Sequence, residues 1–135
     1  MDLLEEANLL NLYLSQLKIN DSTNREGHSA KVYFNAVWGN DFSRRKEHFI
    51  NQALNYGYSI LLSCFNREVT KRGYLTQIGI WHKNEFNAFN LSCDLMEPFR
   101  ILIDKMVFNF TQQDTDYKMK ILKIFDSKLV IDGKT

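Results

Sequence analysis

Apolar residues recur at spacings of three and four along the first part of the chain. In residues 2–18 they are Leu3, Leu4, Ala7, Leu10, Leu14 and Leu17, with Leu9, Leu12 and Tyr13 beside them. This spacing puts the apolar side chains on one broad face, so residues 2–18 are predicted to form an amphipathic helix. The polar run at residues 20–23 is expected to end that helix.

A second helix is predicted to begin at Thr23. Thr23 and Glu26 have the spacing of a capping box, in which each side chain accepts a hydrogen bond from the other residue's backbone N–H. Gly39 is expected to end this helix. The apolar positions on its inner side are Ala30, Phe34 and Val37, with Val32, Tyr33 and Trp38 next to them.

A third helix is predicted to extend from a cap at Ser43 to a stop at residues 71–73, where lysine, arginine and glycine follow one another. Gly57 lies in the middle of its apolar pattern. Glycine costs about 1 kcal/mol relative to alanine inside a helix, so its presence indicates close packing against another helix. The apolar positions are Phe49, Ile50, Ala53, Leu54, Tyr58, Leu61, Leu62, Phe65 and Val69.

Residues 74–91 lose the helical period and are predicted to form a short extended or looped passage. A fourth helix is expected to follow. Pro98 fits only near a helix start, where its missing N–H has no intrahelical acceptor to lose, and this puts Asp94 and Glu97 in the opening turn. The inner face of the helix carries Leu95, Phe99, Leu102, Ile103, Met106 and Phe110.

Residues 114–116 are expected to cap a last helix that carries Met119, Leu122 and Phe125 on its apolar side. Residues 127–135 are expected to be a frayed tail or a cut end. No repeat or low-complexity tract interrupts the chain. The pattern as a whole predicts an all-α fold, in which residues 1–135 form a single multi-helix domain.

Composition narrows the class of protein without naming a function. The chain has 135 residues, of which 44% are apolar and 24% charged, and these values are ordinary for one soluble domain. The net charge of +1 argues neither for nor against nucleic acid as a partner. No apolar run approaches the roughly 20 residues of a membrane span, and the first residues lack the features of a signal peptide. We therefore expect a cytoplasmic protein, whose two cysteines are reduced thiols.

Four residues are candidates for a metal site. Asp94 and Glu97 are three apart, so on a helix they share a face, while His82 and Glu26 come from other segments. An imidazole with two or three carboxylates suits Mn²⁺ or Mg²⁺, and Mn²⁺ is better matched to the nitrogen ligand. Each residue also has a purely structural explanation: a capping box for Glu26, a favourable helix dipole for the other two acids, and an ordinary surface or core position for the histidine. No periodicity brings Glu26 near His82.

Three groups of basic residues are candidates for contacts to phosphate groups. The first two are compact, and the third is scattered. A solvated helix face is the alternative explanation for each group. The first comprises Arg44, Arg45 and Lys46, the second Arg67, Lys71 and Arg72, and the third Lys118, Lys120, Lys123 and Lys128.

Four motifs, in order along the chain, resemble those of the CRISPR-associated integrase family, the first protein of the adaptation module. Residues 90–100 contain the signature D-L-M-E-P-F-R, and residues 79–82 (G-I-W-H) resemble the family's G-[IF]-x-H. Residues 26–34 resemble its E-x-x-x-A-[KR]-x-Y-F helix, and residues 55–61 its N-Y-G-Y-[SA]-[IV]-L stretch. The run at residues 87–91 is most similar to integrases from type II loci.

The resemblance implies a function. It aligns Glu26, His82 and Glu97 with the family's three catalytic metal ligands and Asp94 with an acidic position that supports them. It implies that Mn²⁺ or Mg²⁺ assists transesterification, in which a DNA 3′-hydroxyl attacks a phosphodiester at the edge of a CRISPR repeat. Arg100 is expected to pair with an acidic neighbour or to bind a DNA phosphate near this site.

The resemblance also implies partners: prespacer DNA, the CRISPR repeat and a second adaptation protein. Full members of the family form homodimers through a β-rich domain that precedes the helical one, whereas this chain opens with a helix. We therefore expect a helical metal-binding catalytic domain that is a fragment of the longer architecture and is weakly active or inactive alone. Two other classes stay open: a helical module that binds DNA or a partner without turnover, and an unrelated helical interaction protein.

Overall fold

The computed structural model describes residues 3–18 and 21–126, and all regular structure within these ranges is helical. The tail expected at residues 127–135, together with Lys128, lies outside them. The all-α prediction is confirmed, whereas the domain limits of 1–135 stay a prediction. The helices are α1 (Leu3–Ser15), α2 (Arg25–Trp38), α3 (Phe49–Lys71), α4 (Asn90–Met96), α5 (Arg100–Phe108) and α6 (Tyr117–Leu122), with 3₁₀ turns at Glu97–Phe99 and Lys123–Asp126. They fall into two compact units, Met1–Lys46 and Glu47–Thr135.

The first unit is a pair of packed helices, α1 and α2, followed by a turn. The Tyr13 ring of α1 lies 6.2 Å from the His28 ring, and the Arg25 guanidinium lies 5.1 Å above the same tyrosine. Near the other end of α2, Phe34, Trp38 and Phe42 form an aromatic cluster with ring centroids 5.3–6.0 Å apart. Tyr13 and Phe34 therefore pack from the predicted apolar sides of the two helices. The rest of the predicted α1 face is mostly exposed, and Leu4, Leu14 and Leu17 are all open to solvent, so that part of the prediction is wrong.

The predicted capping box at the start of α2 is wrong. The helix begins at Arg25, and its cap is the Asp21 carboxylate, which accepts the backbone N–H of Arg25 at 2.7 Å and of Glu26 at 3.0 Å. This geometry needs left-handed backbone at Asp21 (φ 44°) and Asn24 (φ 52°), two residue types that tolerate it better than most. Glu26 therefore lies on the exposed first turn without serving as part of a capping box.

The second unit is built around α3, which packs against α4, α5 and α6. The core residues that are almost fully buried are Ala53, Leu54, Ile103, Val107 and Ile121. The predicted stop after α3 is confirmed, because Gly73 takes a left-handed φ of 79° directly beyond the last turn. The predicted start is wrong: α3 begins at Phe49, where the His48 ring accepts the Ile50 N–H at 3.2 Å.

Gly57 marks a close helix crossing, as the sequence pattern predicts. A Cβ atom at this position would lie 2.4 Å from Cγ2 of Ile103 on α5, which is far inside van der Waals contact. The absence of a side chain at Gly57 therefore lets α3 and α5 approach one another. This approach fixes which residues of the two helices face each other.

The expected fourth helix is divided at its proline. Asn90–Met96 is helical, the chain tightens to a 3₁₀ turn over Glu97–Phe99, and α5 follows. Pro98 explains the division, because it lacks an N–H and its ring conflicts with the carbonyl four residues earlier. The prediction that Asp94 lies in the opening turn is wrong: it lies in the second half of α4. Glu97 begins the 3₁₀ turn.

Candidate functional site

Two of the candidate residues, His82 and Asp94, are in direct contact in the second unit. Asp94 lies on α4, and His82 lies in the irregular passage between α3 and α4 that the sequence predicts. The Nδ1 atom of His82 is 2.5 Å from Oδ1 of Asp94. The imidazole side chain is 33% exposed and the carboxylate 7% exposed, so a largely buried acid holds a histidine that solvent can reach.

The Asp94 carboxylate also fixes the backbone of the passage. It accepts hydrogen bonds from the N–H groups of Ile80 at 2.5 Å, Trp81 at 2.9 Å and His82 at 3.0 Å. Three successive N–H groups that converge on one carboxylate form a small anion-binding nest. The passage is therefore built around the same acid that holds the histidine ring.

Gly79 allows this close approach. A Cβ atom there would lie 2.3 Å from the carbonyl oxygen of His82 and 2.9 Å from Oδ2 of Asp94. Neither atom can move far, since one belongs to the backbone and the other to a carboxylate held by several hydrogen bonds. Any larger residue at position 79 would displace the carboxylate or the loop. The glycine of the G-I-W-H motif thus has a steric explanation.

The environment keeps Asp94 ionised. Burial by itself tends to raise the pKa of this carboxyl, but the hydrogen bonds from the backbone of Trp81 and from the His82 ring act in the opposite direction. The N–H groups of His82 and Ile80 add to them, and the pKa of Asp94 lies below its usual value. The acid is therefore a carboxylate at neutral pH, ready to accept a hydrogen bond from the ring.

This contact selects the tautomer of His82. Because a carboxylate is an acceptor, Nδ1 of the imidazole carries the proton and donates it to Asp94 in a hydrogen bond. In the neutral ring Nε2 then holds a lone pair. Histidines that bind metals commonly have their second nitrogen held by a carboxylate in this way, which fixes the ring and strengthens the ligand.

The sequence did not indicate the residues whose side chains tie the irregular passage together by hydrogen bonds to its backbone. Asn90 is buried, and its side-chain NH₂ donates to the carbonyls of Gln77 at 3.0 Å and Asn84 at 2.8 Å. Thr76 is also buried, and its hydroxyl donates to the Ala88 carbonyl at 2.7 Å. The one signal in the sequence was the repeated asparagine in the passage, because asparagine side chains often bond nearby backbone.

Glu97 does not contact the His82 pair but has a cationic partner of its own. Its Oε1 atom lies 3.0 Å from Nη2 of Arg100, one helical turn further on. Arg100 also lies over the ring of Tyr58, with the guanidinium carbon 4.9 Å from the ring centroid. The expectation that Arg100 pairs with an acidic neighbour is met, while its expected contact with DNA stays a prediction.

Glu26, the remaining candidate, belongs to the first unit and lies on the exposed first turn of α2. Among the described residues of either unit taken alone, no three His, Cys, Asp or Glu side chains are close enough to hold one ion. His82 and Asp94 are the candidate pair that the structure brings together. The convergence of Glu26, His82 and Glu97 on one ion therefore stays a prediction.

The first basic group lines a groove of about 640 Å³ in the first unit. Four of the five charged residues around it are basic, and they are Lys31, Arg44, Arg45 and Lys46, with Asp41 as the acid. Lys31 lies on α2, whereas Arg44, Arg45 and Lys46 lie in a turn and not in the helix expected after Ser43. The Ser43 hydroxyl accepts the Arg45 N–H at 3.3 Å. The Arg44 guanidinium is held 5.4 Å above the Phe34 ring. A concave surface with this excess of positive charge is suited to binding an anion.

The other basic groups are partly neutralised by acids. In the second group, Arg72 pairs with Glu68 at 2.6 Å, and Arg67 lies 3.6 Å from the same carboxylate. In the third, Lys120 pairs with Asp114 and, at 3.2 Å, with Asp116. These ion pairs support the solvated-surface explanation for the two groups.

The fold and the site together define an all-helical protein with a carboxylate-backed histidine. Across residues 3–120 the chain matches the family model described as CRISPR associated protein Cas1, and it therefore belongs to that family. The resemblance drawn from the sequence motifs is confirmed. The finer similarity to type II members stays a prediction.

Several relatives carry the same name. The chain is 37% identical over 107 residues to CRISPR-associated endonuclease Cas1 of Neisseria meningitidis serogroup C (strain 8013), covering 79% of this chain and 35% of that protein. It is 30% identical over 121 residues to CRISPR-associated endonuclease Cas1 1 of Francisella tularensis subsp. novicida (strain U112), covering 82% and 36%. The chain thus spans about a third of the length of these relatives. No helix in the described ranges is long and apolar enough to cross a membrane.

Proposed function

We propose that this chain is the metal-binding catalytic part of a DNA endonuclease and integrase, with Mn²⁺ or Mg²⁺ held by Glu26, His82 and Glu97. The observation that carries the proposal is the contact between His82 and Asp94, which leaves Nε2 of the ring as a ligand atom. The donor set, one imidazole nitrogen with carboxylate oxygens, is suited to either ion. The names of the relatives, which are CRISPR-associated endonucleases, support the nuclease part of the proposal.

In the proposed reaction, the oxygen of a DNA 3′-hydroxyl attacks a phosphorus atom at the repeat edge. A new P–O bond forms while the existing P–O3′ bond breaks, and the proton of the attacking hydroxyl is balanced by protonation of the departing 3′-oxygen. A bound divalent ion would supply charge neutralisation on the phosphate oxygens. No external energy source is required, since one phosphodiester replaces another. With water as the nucleophile, the same site hydrolyses DNA.

The residues of this chain have distinct parts in the proposal. Asp94 keeps the imidazole of His82 in one orientation and in the tautomer that binds metal through Nε2. It also shapes the backbone around the ring by binding three N–H groups. Glu97 offers its second oxygen while Arg100 holds the first. Glu26, on an exposed turn, completes the proposed ligand set.

The basic groove of the first unit is proposed to bind the DNA backbone. Its charge is complementary to phosphate, and Arg44 is held in place by stacking on Phe34. Gly27 is one of its lining residues, so the groove reaches the residue next to Glu26. A DNA strand in the groove would therefore pass beside a proposed metal ligand. A second adaptation protein and a second copy of the full-length protein are proposed as further partners.

A non-catalytic DNA-binding module is the second candidate function. It is favoured by the observation that the groove and the His82 pair are built from separate parts of the chain, so that one can operate without the other. The metal-dependent activity of this chain, which covers 35% of the length of the Neisseria relative, is the property that separates the two candidates.

The test compares Mn²⁺-dependent cutting and joining of branched DNA by the chain and by His82→Ala. Glu85→Gln, an exposed change in the same loop, is the matched control. The proposal expects activity that requires the metal, is abolished in His82→Ala and is kept in Glu85→Gln. If the chain and both variants are inert but bind the DNA equally well, the chain is a binding module.

A further inference from the structure

We infer that Arg100 is a positioning residue for Glu97, and that it is itself held by the ring of Tyr58. The inference rests on the proposed function, because it gives Glu97 a metal to bind. It adds two residues, Arg100 and Tyr58, which set the geometry of a ligand and do not bind the metal themselves.

The contacts run in series from the core to the proposed ligand. Nη2 of Arg100 lies 3.0 Å from Oε1 of Glu97, and its guanidinium carbon lies 4.9 Å from the centre of the Tyr58 ring. The arginine and glutamate side chains are 37% and 40% exposed. An ion pair between two such flexible, half-exposed side chains contributes little unless something fixes one of them. The aromatic face supplies that restraint for Arg100.

The ring of Tyr58 is fixed in its turn by a buried acid. Its hydroxyl donates to Oδ1 of Asp104, a residue that is only 6% exposed. Tyr58 and Asp104 come from α3 and α5, and they follow directly after Gly57 and Ile103, the pair at which these helices closely approach one another. The helix crossing therefore fixes the tyrosine, the tyrosine fixes the arginine, and the arginine holds the carboxylate.

This series of contacts affects how Glu97 can bind a metal. The guanidinium occupies one oxygen of Glu97 and leaves Oε2 for another partner, in a direction set by the rest of the series. Carboxylates that bind metals are commonly hydrogen-bonded in this way, and removal of such a partner typically weakens metal affinity about 10- to 100-fold. Arg100 thus selects one orientation of a side chain that would otherwise sample several.

The experiment measures Mn²⁺ affinity of the full chain from the EPR signal of free Mn²⁺, without DNA. Arg100→Met, which removes the charge at similar length, is expected to weaken binding about tenfold. Arg100→Lys should recover part of this affinity, because the ammonium restores the charge but not the planar fork. Tyr58→Phe keeps the ring but frees it from Asp104, and a smaller decrease is expected. Lys105→Met, which removes a different exposed cation of α5, is the control and should bind as the parent does.

A double-mutant cycle with Glu97→Gln separates positioning from a general structural effect. In the Glu97→Gln background, Arg100→Met should have no further effect on Mn²⁺ affinity. An equal decrease in both backgrounds, or Arg100→Met behaving as Lys105→Met does, overturns the positioning role. If Glu97→Gln itself leaves the affinity unchanged, it is the proposed ligand set that fails. If Arg100→Met does not fold, Tyr58→Phe decides in its place, and parental affinity in that variant overturns the inference.

Discussion

The Asp94 carboxylate lies 2.5 Å from Nδ1 of His82, a residue twelve positions earlier in the chain. The same carboxylate binds the backbone N–H groups of three consecutive residues that end with that histidine. One side chain thus determines both the path of the loop and the orientation of its imidazole. Asp94 is therefore a structural centre of the proposed site even if it never touches the metal.

Replacing Asp94 with asparagine is expected to damage both the loop and the metal site. The amide offers one acceptor oxygen, and its NH₂ group would face donors that now bind the second carboxylate oxygen. Leaving such donors without a partner costs about 1–3 kcal/mol of unfolding free energy. We expect urea denaturation to show a free energy of unfolding that is lower by this amount, and we expect the Mn²⁺ affinity to fall at least tenfold. Glu85→Gln is the control in the same loop, and equal effects of the two changes would contradict the prediction.

Gly57→Ala is expected to destabilise the protein although alanine is the better helix former. With space available, the change would stabilise α3 by about 1 kcal/mol. Because the new methyl group would lie 2.4 Å from Ile103, we expect a net decrease of about 1–3 kcal/mol in the free energy of unfolding. Ile103→Ala removes the clashing atom, so the double variant should be destabilised by less than the sum of the two single changes. Additive effects would show that the helices do not meet there.

The ion pair between Asp114 and Lys120 predicts a pH dependence of stability. The lysine ammonium, together with the N–H and hydroxyl groups of Thr111, lowers the pKa of Asp114 from 3.8 to about 2. As the pH falls, the unfolded chain takes up this proton first. The contribution of Asp114 to stability is therefore complete above the ordinary pKa of 3.8 and is lost as the pH falls towards about 2.

Thermal unfolding of the parent and of Asp114→Asn at several pH values checks this prediction. The difference in stability between them should be greatest near neutral pH and should shrink across the acidic window. Asp41→Asn, an exposed change in a turn of the first unit, is the control for the loss of one surface carboxylate. If the curves of Asp114→Asn and the parent stay parallel below pH 4, the ion pair is not formed in solution.

Lys31→Ala and Arg45→Ala should weaken binding of single-stranded DNA when a chelator has removed all divalent ions. Both residues line the basic groove, and removing one cation that binds a phosphate should lower the slope of log affinity against log salt by about 1. Lys105→Ala removes an exposed cation from the other unit and should leave the slope unchanged. Fluorescence anisotropy over a range of salt concentrations measures the slope. If all three variants have the same reduced slope, the cations of the groove contribute no more to DNA binding than any other exposed cation does.

Local pattern was enough for most of the helices. Apolar spacing predicted α1, α2 and most of α3, and Gly57 and Gly73 were recognised as a close crossing and a helix stop. The helices and their stop depend on neighbours within about one turn and on the backbone freedom of Gly73, whereas the crossing depends on the missing side chain of Gly57. All of these can be recognised from the local sequence. The four family motifs can also be recognised from the order of residues alone, without the folded structure.

The helix starts were decided by side chains that local rules did not select. The helix α2 is capped by Asp21 and not by Thr23, because two left-handed residues turn the aspartate back onto the first N–H groups. At α3, His48 takes the place predicted for Ser43. Several polar residues near each start are able to cap it, and only the complete path of the chain determines which one reaches the N–H groups.

The sequence by itself determined an all-helical fold, its main helices and the identity of the acids, the histidine and the basic residues. Tertiary structure alone decided that Asp94 meets His82 and that Arg100 lies over the ring of Tyr58. The physical reason is that helical periodicity relates residues three or four apart, whereas His82 lies in a passage without a period. Its position follows from hydrogen bonds that converge on one buried carboxylate, and such convergence exists only when the chain is folded.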